Sequence, residues 1–145
     1  VRSAGAQVLT EKDTCEHYLQ AKAPKFTIAR KQRTNLKEGA LFLYVSIAPP
    51  DASRDNALAV ACSIGKNHAD ERALFVYIFD NLHAARRYNS QGEGNDKATV
   101  ASYLGMYGFS REDANSFQGL DLPDPGNSRR LTHIDLGPPP IRQDN

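Results

Sequence analysis

The sequence predicts an α+β (or mixed α/β) fold. The expected architecture is a single small sheet with an aliphatic face packed on a helix and an aromatic face packed on terminal segments. Three observations carry this. Leu41–Ala48 and Ala73–Phe79 are short runs of β-branched and aromatic residues bounded by breakers, which is how strands read. Between them, Ala57, Leu58, Ala61, Cys62 and Gly65 recur at helical spacing in an Ala-rich stretch. Finally, the apolar residues of the strands sort by parity, and parity decides which sheet face a side chain occupies.

Taken in order, residues 11–23 read as a weak helix ended by Pro24, and 26–33 as a strand with a very polar far end. Asn35–Gly39 is a turn, with Gly39 suited to positive φ. Pro49 and Pro50 stop the first confident strand, and Asp51 or Ser53 supplies the cap of the helix that follows. Gly65 and Lys66 look like its C-terminal stop. After Ala73–Phe79, Asp80 is placed to cap a short helix over 82–88, followed by a polar loop over 89–97. Residues 99–109 read as a third strand, with Gly105 or Gly108 marking a bulge. Five of the eight prolines fall in 123–140, so only 131–136 reads as strand there. The division that follows is an N-terminal segment over 1–24, one domain over 25–136 and an extended or disordered tail over 137–145.

Parity places Leu41, Leu43, Val45 and Ile47 with Leu74, Val76 and Ile78 on the aliphatic face. Phe42 and Tyr44 then share the opposite face with Phe75, Tyr77 and Phe79. Over 99–109, Val100, Leu104 and Met106 join the aliphatic set, and Tyr103, Tyr107 and Phe109 the aromatic set. The Pro-rich stretch is expected to cover the aromatic face, because an exposed face of so many aromatics would exceed the apolar patch of a few hundred Å2 usual on soluble monomers.

A chain of 145 residues is one domain's length and can bury a real core. It has no apolar run long enough for a spanning helix. The formal charge is only +1, but residues 1–35 hold seven Lys/Arg against three acids. Cys15 and Cys62 are the only cysteines; an even count fits one disulfide, and a free Cys15 beside a buried helical Cys62 is the alternative. Ala4-x-Ala6 matches the small-residue pattern that ends a secretory signal. Together these predict an extracytoplasmic (periplasmic or secreted) location.

Candidate ligand-binding residues are the aromatics Tyr44, Tyr77, Phe79, Tyr103 and Tyr107, with the basic cluster Arg30, Lys31 and Arg33. Stacked aromatics offer a platform for bases, sugars or a partner chain. Basic side chains offer phosphate contacts, as Arg86, Arg87, Arg129 and Arg130 also do by charge alone. Leu74–Phe79 resembles the first-strand motif of RNA-recognition domains, and Met106–Arg111 is similar to their third-strand motif. The resemblance implies single-stranded nucleic-acid binding on the sheet. It spans roughly residues 74–120 and departs from the motif in lacking the basic-Gly start and the Val after Gly108-Phe109.

No residue set predicts catalysis. Ser63-x-x-Lys66 lacks partner motifs. His68 with Asp70 and Glu71 reads as a solvent loop, and Gly92-x-Gly94 lacks the third glycine of a nucleotide loop. No metal site and no cofactor are expected. The function that follows is a small, exported, non-catalytic interaction or ligand-binding module whose partner is a protein or small ligand, with a homodimer as one arrangement. Nucleic acid is the disfavoured partner for so neutral a chain. Single-stranded nucleic-acid binding through the aromatic face is the alternative, and a small enzyme with a dispersed site the second.

Overall fold

The computed structural model describes residues 7–20, 22–34, 39–89, 93–112, 116–124 and 127–142. The Ala4-x-Ala6 pattern, Gly92 and most of the 35–39 turn lie outside them, as does the Arg129 side chain. Seven strands form one mixed sheet: β1 (Gln7–Lys12), β2 (Phe26–Arg33), β3 (Leu41–Ile47), β4 (Ala73–Phe79), β5 (Tyr103–Ser110), β6 (Phe117–Asp124) and β7 (Asn127–Asp135). Their spatial order is β1-β7-β6-β5-β4-β3-β2. β3 and β4 run parallel, as do β1 and β7, and every other neighbour is antiparallel. Four short helices, α1 (Cys15–Leu19), α2 (Arg54–Asn67), α3 (Leu82–Arg87) and α4 (Lys97–Ala101), complete the α+β fold. No helix among the described residues is long and apolar enough to cross a membrane.

The aliphatic core forms where parity places it. Leu43, Val45, Leu74, Val76 and Ile78 are fully buried beneath α2, which contributes Leu58, Val60, Ala61 and Ile64. Ser53 caps α2, its hydroxyl accepting from the Asn56 N–H at 3.1 Å. The β3–α2–β4 unit thus pairs two adjacent parallel strands through one helix. They are interior strands, but the middle of the sheet is β5.

Several expectations change. Residues 7–12 form edge strand β1 on β7, so the segment before residue 25 contributes a strand to the sheet as well as helix α1. The helix expected over 11–23 shrinks to Cys15–Leu19. Asn81, not Asp80, caps α3, its side chain accepting from Ala84 N–H at 3.0 Å. The third strand begins at Tyr103, because 97–101 is helical and capped by Asp96. Residues 117–124 and 127–135 extend the sheet as a β6–β7 pair, so Pro123 lies in a strand near a register irregularity instead of in a covering loop.

The C-terminal segment also lies on the other side from the one expected. Gln118 Nε2 donates to Pro138 O at 2.8 Å, and Gln118 Oε1 accepts the hydroxyl of Tyr107. Arg111 donates to the carbonyls of Ala69, Glu71 and Pro140. The prolines therefore strap the α1–α2 side, and the aromatic face is roofed by α3 instead of by a terminus.

Candidate functional site

Register lines up whole rows of side chains across the sheet. One row on the aromatic face runs Arg30, Tyr44, Tyr77, Met106, Asp121, His133 and Thr10. The next runs Gln32, Phe42, Phe75, Gly108, Gly119, Asp135 and Lys12. The two glycines let neighbours lie down on the sheet. A Cβ on Gly108 would meet Phe75 Cδ1 at 2.8 Å, and one on Gly119 would meet His133 Cε1 at 2.8 Å.

This face has two halves. Under α3, Tyr44 and Phe79 are buried with Ala84 and Ala85, and Tyr88 and Tyr103 stack at 5.8 Å with 4° between their planes. Burial holds the Tyr103 and Tyr88 hydroxyls protonated well above the usual tyrosine range. The other half is open. Phe42 stacks on Phe75 at 5.2 Å, Phe75 meets Phe117 at 6.5 Å, and Phe117 is 40% exposed. Tyr77 bridges the halves, stacked at 5.2 Å on Tyr44 and only half-buried.

Of the residues singled out in the sequence, Tyr44, Tyr77, Phe79 and Tyr103 share this face. Tyr107 does not. Phe79 pairs with Tyr103 but Ile78 pairs with Gly105, so Leu104 is an extra residue. That bulge reverses parity, as an added residue must. Tyr107 and Phe109 consequently point under α2, opposite Val76 and Leu74, and both are fully buried. β4 and β5 are antiparallel neighbours, but the aromatics of the 106–111 motif face away from Tyr77. The continuous platform suggested by the resemblance to RNA-recognition domains is therefore not assembled.

The basic cluster is split as well. The Arg30 guanidinium lies 3.9 Å from the Tyr44 ring centroid and donates to the carbonyls of Arg86 and Tyr88, tying β2 to the end of α3. Lys31 and Arg33 take the other parity, opposite Leu43 and Leu41. Arg33 forms a two-pronged pair with Glu71 at 2.8 and 2.9 Å, and this hydrogen bonding holds the Glu71 carboxyl below its ordinary value. His68 Nδ1 lies 2.9 Å from Ile64 O at the end of α2, so it does not assemble a site with Asp70 and Glu71.

Three residues at the open face went unnoticed in the sequence: Phe117, Asp121 and His133. His133 Nδ1 lies 2.6 Å from Asp121 Oδ1. Such a pair fixes the imidazole and leaves Nε2 for a proton or a ligand hydroxyl. No local pattern joins these residues; only the β6–β7 register does. Among the described residues, no group of three or more His, Cys, Asp or Glu side chains is arranged for a metal ion.

No family model matches this chain, and no curated protein or solved structure does either. Function must therefore be argued from the chain's own geometry. A cleft of about 560 Å3 lies on the opposite side, between α1, the Cys15–Cys62 disulfide and the proline strap. Gln118 borders it, but its amide already serves Tyr107 and Pro138. The aromatic face retains more free chemistry: exposed Phe117 with half-buried Phe42 and Phe75, on the same face as a His–Asp pair.

Proposed function

We propose that this protein is a small, exported, non-catalytic module that binds a ligand on the open half of its aromatic sheet face. The observation that carries the reading is the unroofed strip of Phe42, Phe75 and Phe117, which continues an aromatic layer that α3 covers elsewhere. Flat apolar surfaces such as sugar rings stack on such rings, and His133, Asp121 and Gln32 border the strip with hydrogen-bonding groups. The Cys15–Cys62 disulfide supports an oxidising compartment.

Two observations weigh against nucleic acid. Arg30 is committed to Tyr44 and two carbonyls, and the open rows carry Asp121 and Asp135, which repel phosphate. The His133–Asp121 pair favours the enzymatic reading, but among the described residues no serine, threonine or cysteine hydrogen-bonds His133.

The test is NMR titration of isotope-labelled protein with neutral oligosaccharides and, separately, single-stranded RNA. The expected result is saccharide-induced shifts centred on Phe42, Phe75 and Phe117, with affinity falling up to about tenfold in Phe75→Ala. Shifts confined to the cleft beside the disulfide, or none with any probe, defeat the reading. RNA binding at moderate salt that is lost in Phe75→Ala replaces it with the nucleic-acid alternative.

A further inference from the structure

The two edges of the sheet are built differently. β2 is guarded: it is bulged between Ile28 and Arg30 and presents exposed Lys31 and Arg33. Bulges and like charges are the usual means of preventing edge pairing. β1 has neither. It pairs with β7 over its whole length without a register shift, and among the described residues no strand lies beyond it. Its sequence, Gln7-Val8-Leu9-Thr10-Glu11-Lys12, has no proline or glycine. Val8 and Leu9 are 57% and 61% exposed, one toward each face. The one acidic side chain is drawn off the edge, because Arg54 of α2 pairs with Glu11.

We infer that β1 is the contact surface of a homodimer, formed by antiparallel addition of β1 to β1 of a second copy about a two-fold axis through Leu9. The edge is self-complementary, which favours a second copy as its partner. Directly opposed residues in an antiparallel pair share a face, so a two-fold register pairs residues of equal parity. Centring on Leu9 opposes Leu9 to Leu9 on the helical side and Val8 to Thr10 on the aromatic side. It also opposes Gln7 to Glu11, an amide to a carboxylate. Centring on Thr10 instead sets Leu9 against Glu11 and Val8 against Lys12, wasting both apolar side chains. A β2–β2 contact centred on Gln32 would oppose Lys31 to Arg33 of the other copy, cation against cation. One short strand per copy buries less than about 1,200 Å2, so the dimer is weak and reversible. It joins two seven-stranded sheets into one and leaves the open aromatic strip, on strands β3 to β6, accessible in both copies. This inference is independent of the ligand.

Sedimentation velocity of the oxidised chain, from micromolar to near-millimolar concentration, tests it. The expected result is a monomer–dimer equilibrium that Leu9→Lys shifts to monomer throughout, with an unchanged melting temperature. Oxidation of Leu9→Cys should give a covalent dimer much faster than oxidation of Val100→Cys, a control at comparable exposure on α4. Monomer at every concentration, or a dimer unaffected by Leu9→Lys, overturns the inference. Mass that grows past the dimer overturns the closed two-fold contact. Should Leu9→Lys fail to fold, the cysteine pair decides: equal cross-linking of the two variants overturns the inference.

Discussion

The hydroxyl of Tyr107 occupies the space that a side chain at Gly65 would need: a Cβ on Gly65 would lie 2.1 Å from Tyr107 Oη and 2.8 Å from Cζ. Gly65 looks in the sequence like a helix stop, but it is buried within α2, and the helix continues to Asn67. Its role is close approach. The missing side chain lets the central strand β5 bring a tyrosine against the helix, where the hydroxyl donates to Gln118 Oε1 at 2.5 Å. The same Gln118 holds the proline strap, so one glycine links helix, sheet and C-terminal segment.

Gly65→Ala is therefore expected to destabilise, although alanine is favoured over glycine in helices by about 1 kcal/mol. Overpacking of this kind costs about 1–3 kcal/mol. Tyr107→Phe alone should cost about 1 kcal/mol for the lost hydrogen bond. Combined, the two should be less than additive, because removing the hydroxyl relieves the nearest clash. Chemical denaturation of the four proteins measures this. A stabilised Gly65→Ala, or strict additivity, contradicts the contact.

Cys15 and Cys62 form a disulfide, with Cα atoms 5.4 Å apart, closing a sequence separation of 47 residues. It anchors α1, which has no fully buried residue of its own, to the buried face of α2. In the chain-entropy model such a loop contributes about 4 kcal/mol. The Cys15→Ala/Cys62→Ala variant should melt roughly 10 °C below the parent. Thiol counting under denaturant, on protein never exposed to reductant, should find no free thiol; two free thiols would remove the bridge.

Alkaline titration should separate the tyrosines. Burial raises the Tyr103 and Tyr107 hydroxyls far above the free value, and burial with the Asp13 hydrogen bond pushes Tyr18 up to about 12. A group whose folded pKa lies above its unfolded value contributes stability that is full below the unfolded pKa, about 10 for tyrosine, and is lost as pH rises through the folded value. Ionisation of Tyr18, Tyr103 and Tyr107 should therefore be delayed beyond pH ~10, with the final rise in tyrosinate absorbance coinciding with loss of the near-ultraviolet dichroism. Six tyrosines ionising together near pH ~10 in a folded protein would contradict the burial.

The sequence by itself determined the elements whose chemistry is local. β3, β4 and α2 are legible because dense apolar residues repeat at periods of 2.0 and 3.6, and breakers bound them. The sorting of Leu43, Val76 and Ile78 from Phe42, Phe75 and Tyr77 follows from the same period. Tertiary structure decided what depends on partners. β1, β6 and the first part of β7 are too polar or proline-containing to read as strands alone, and they exist through hydrogen bonding to neighbouring strands. The face of Tyr107 turns on one extra residue, Leu104, and a shift of one reverses every side chain beyond it. Likewise, His133 meets Asp121, and Phe117 meets Phe75, only through sheet register, because a strand's own sequence carries no information about which strand will lie beside it.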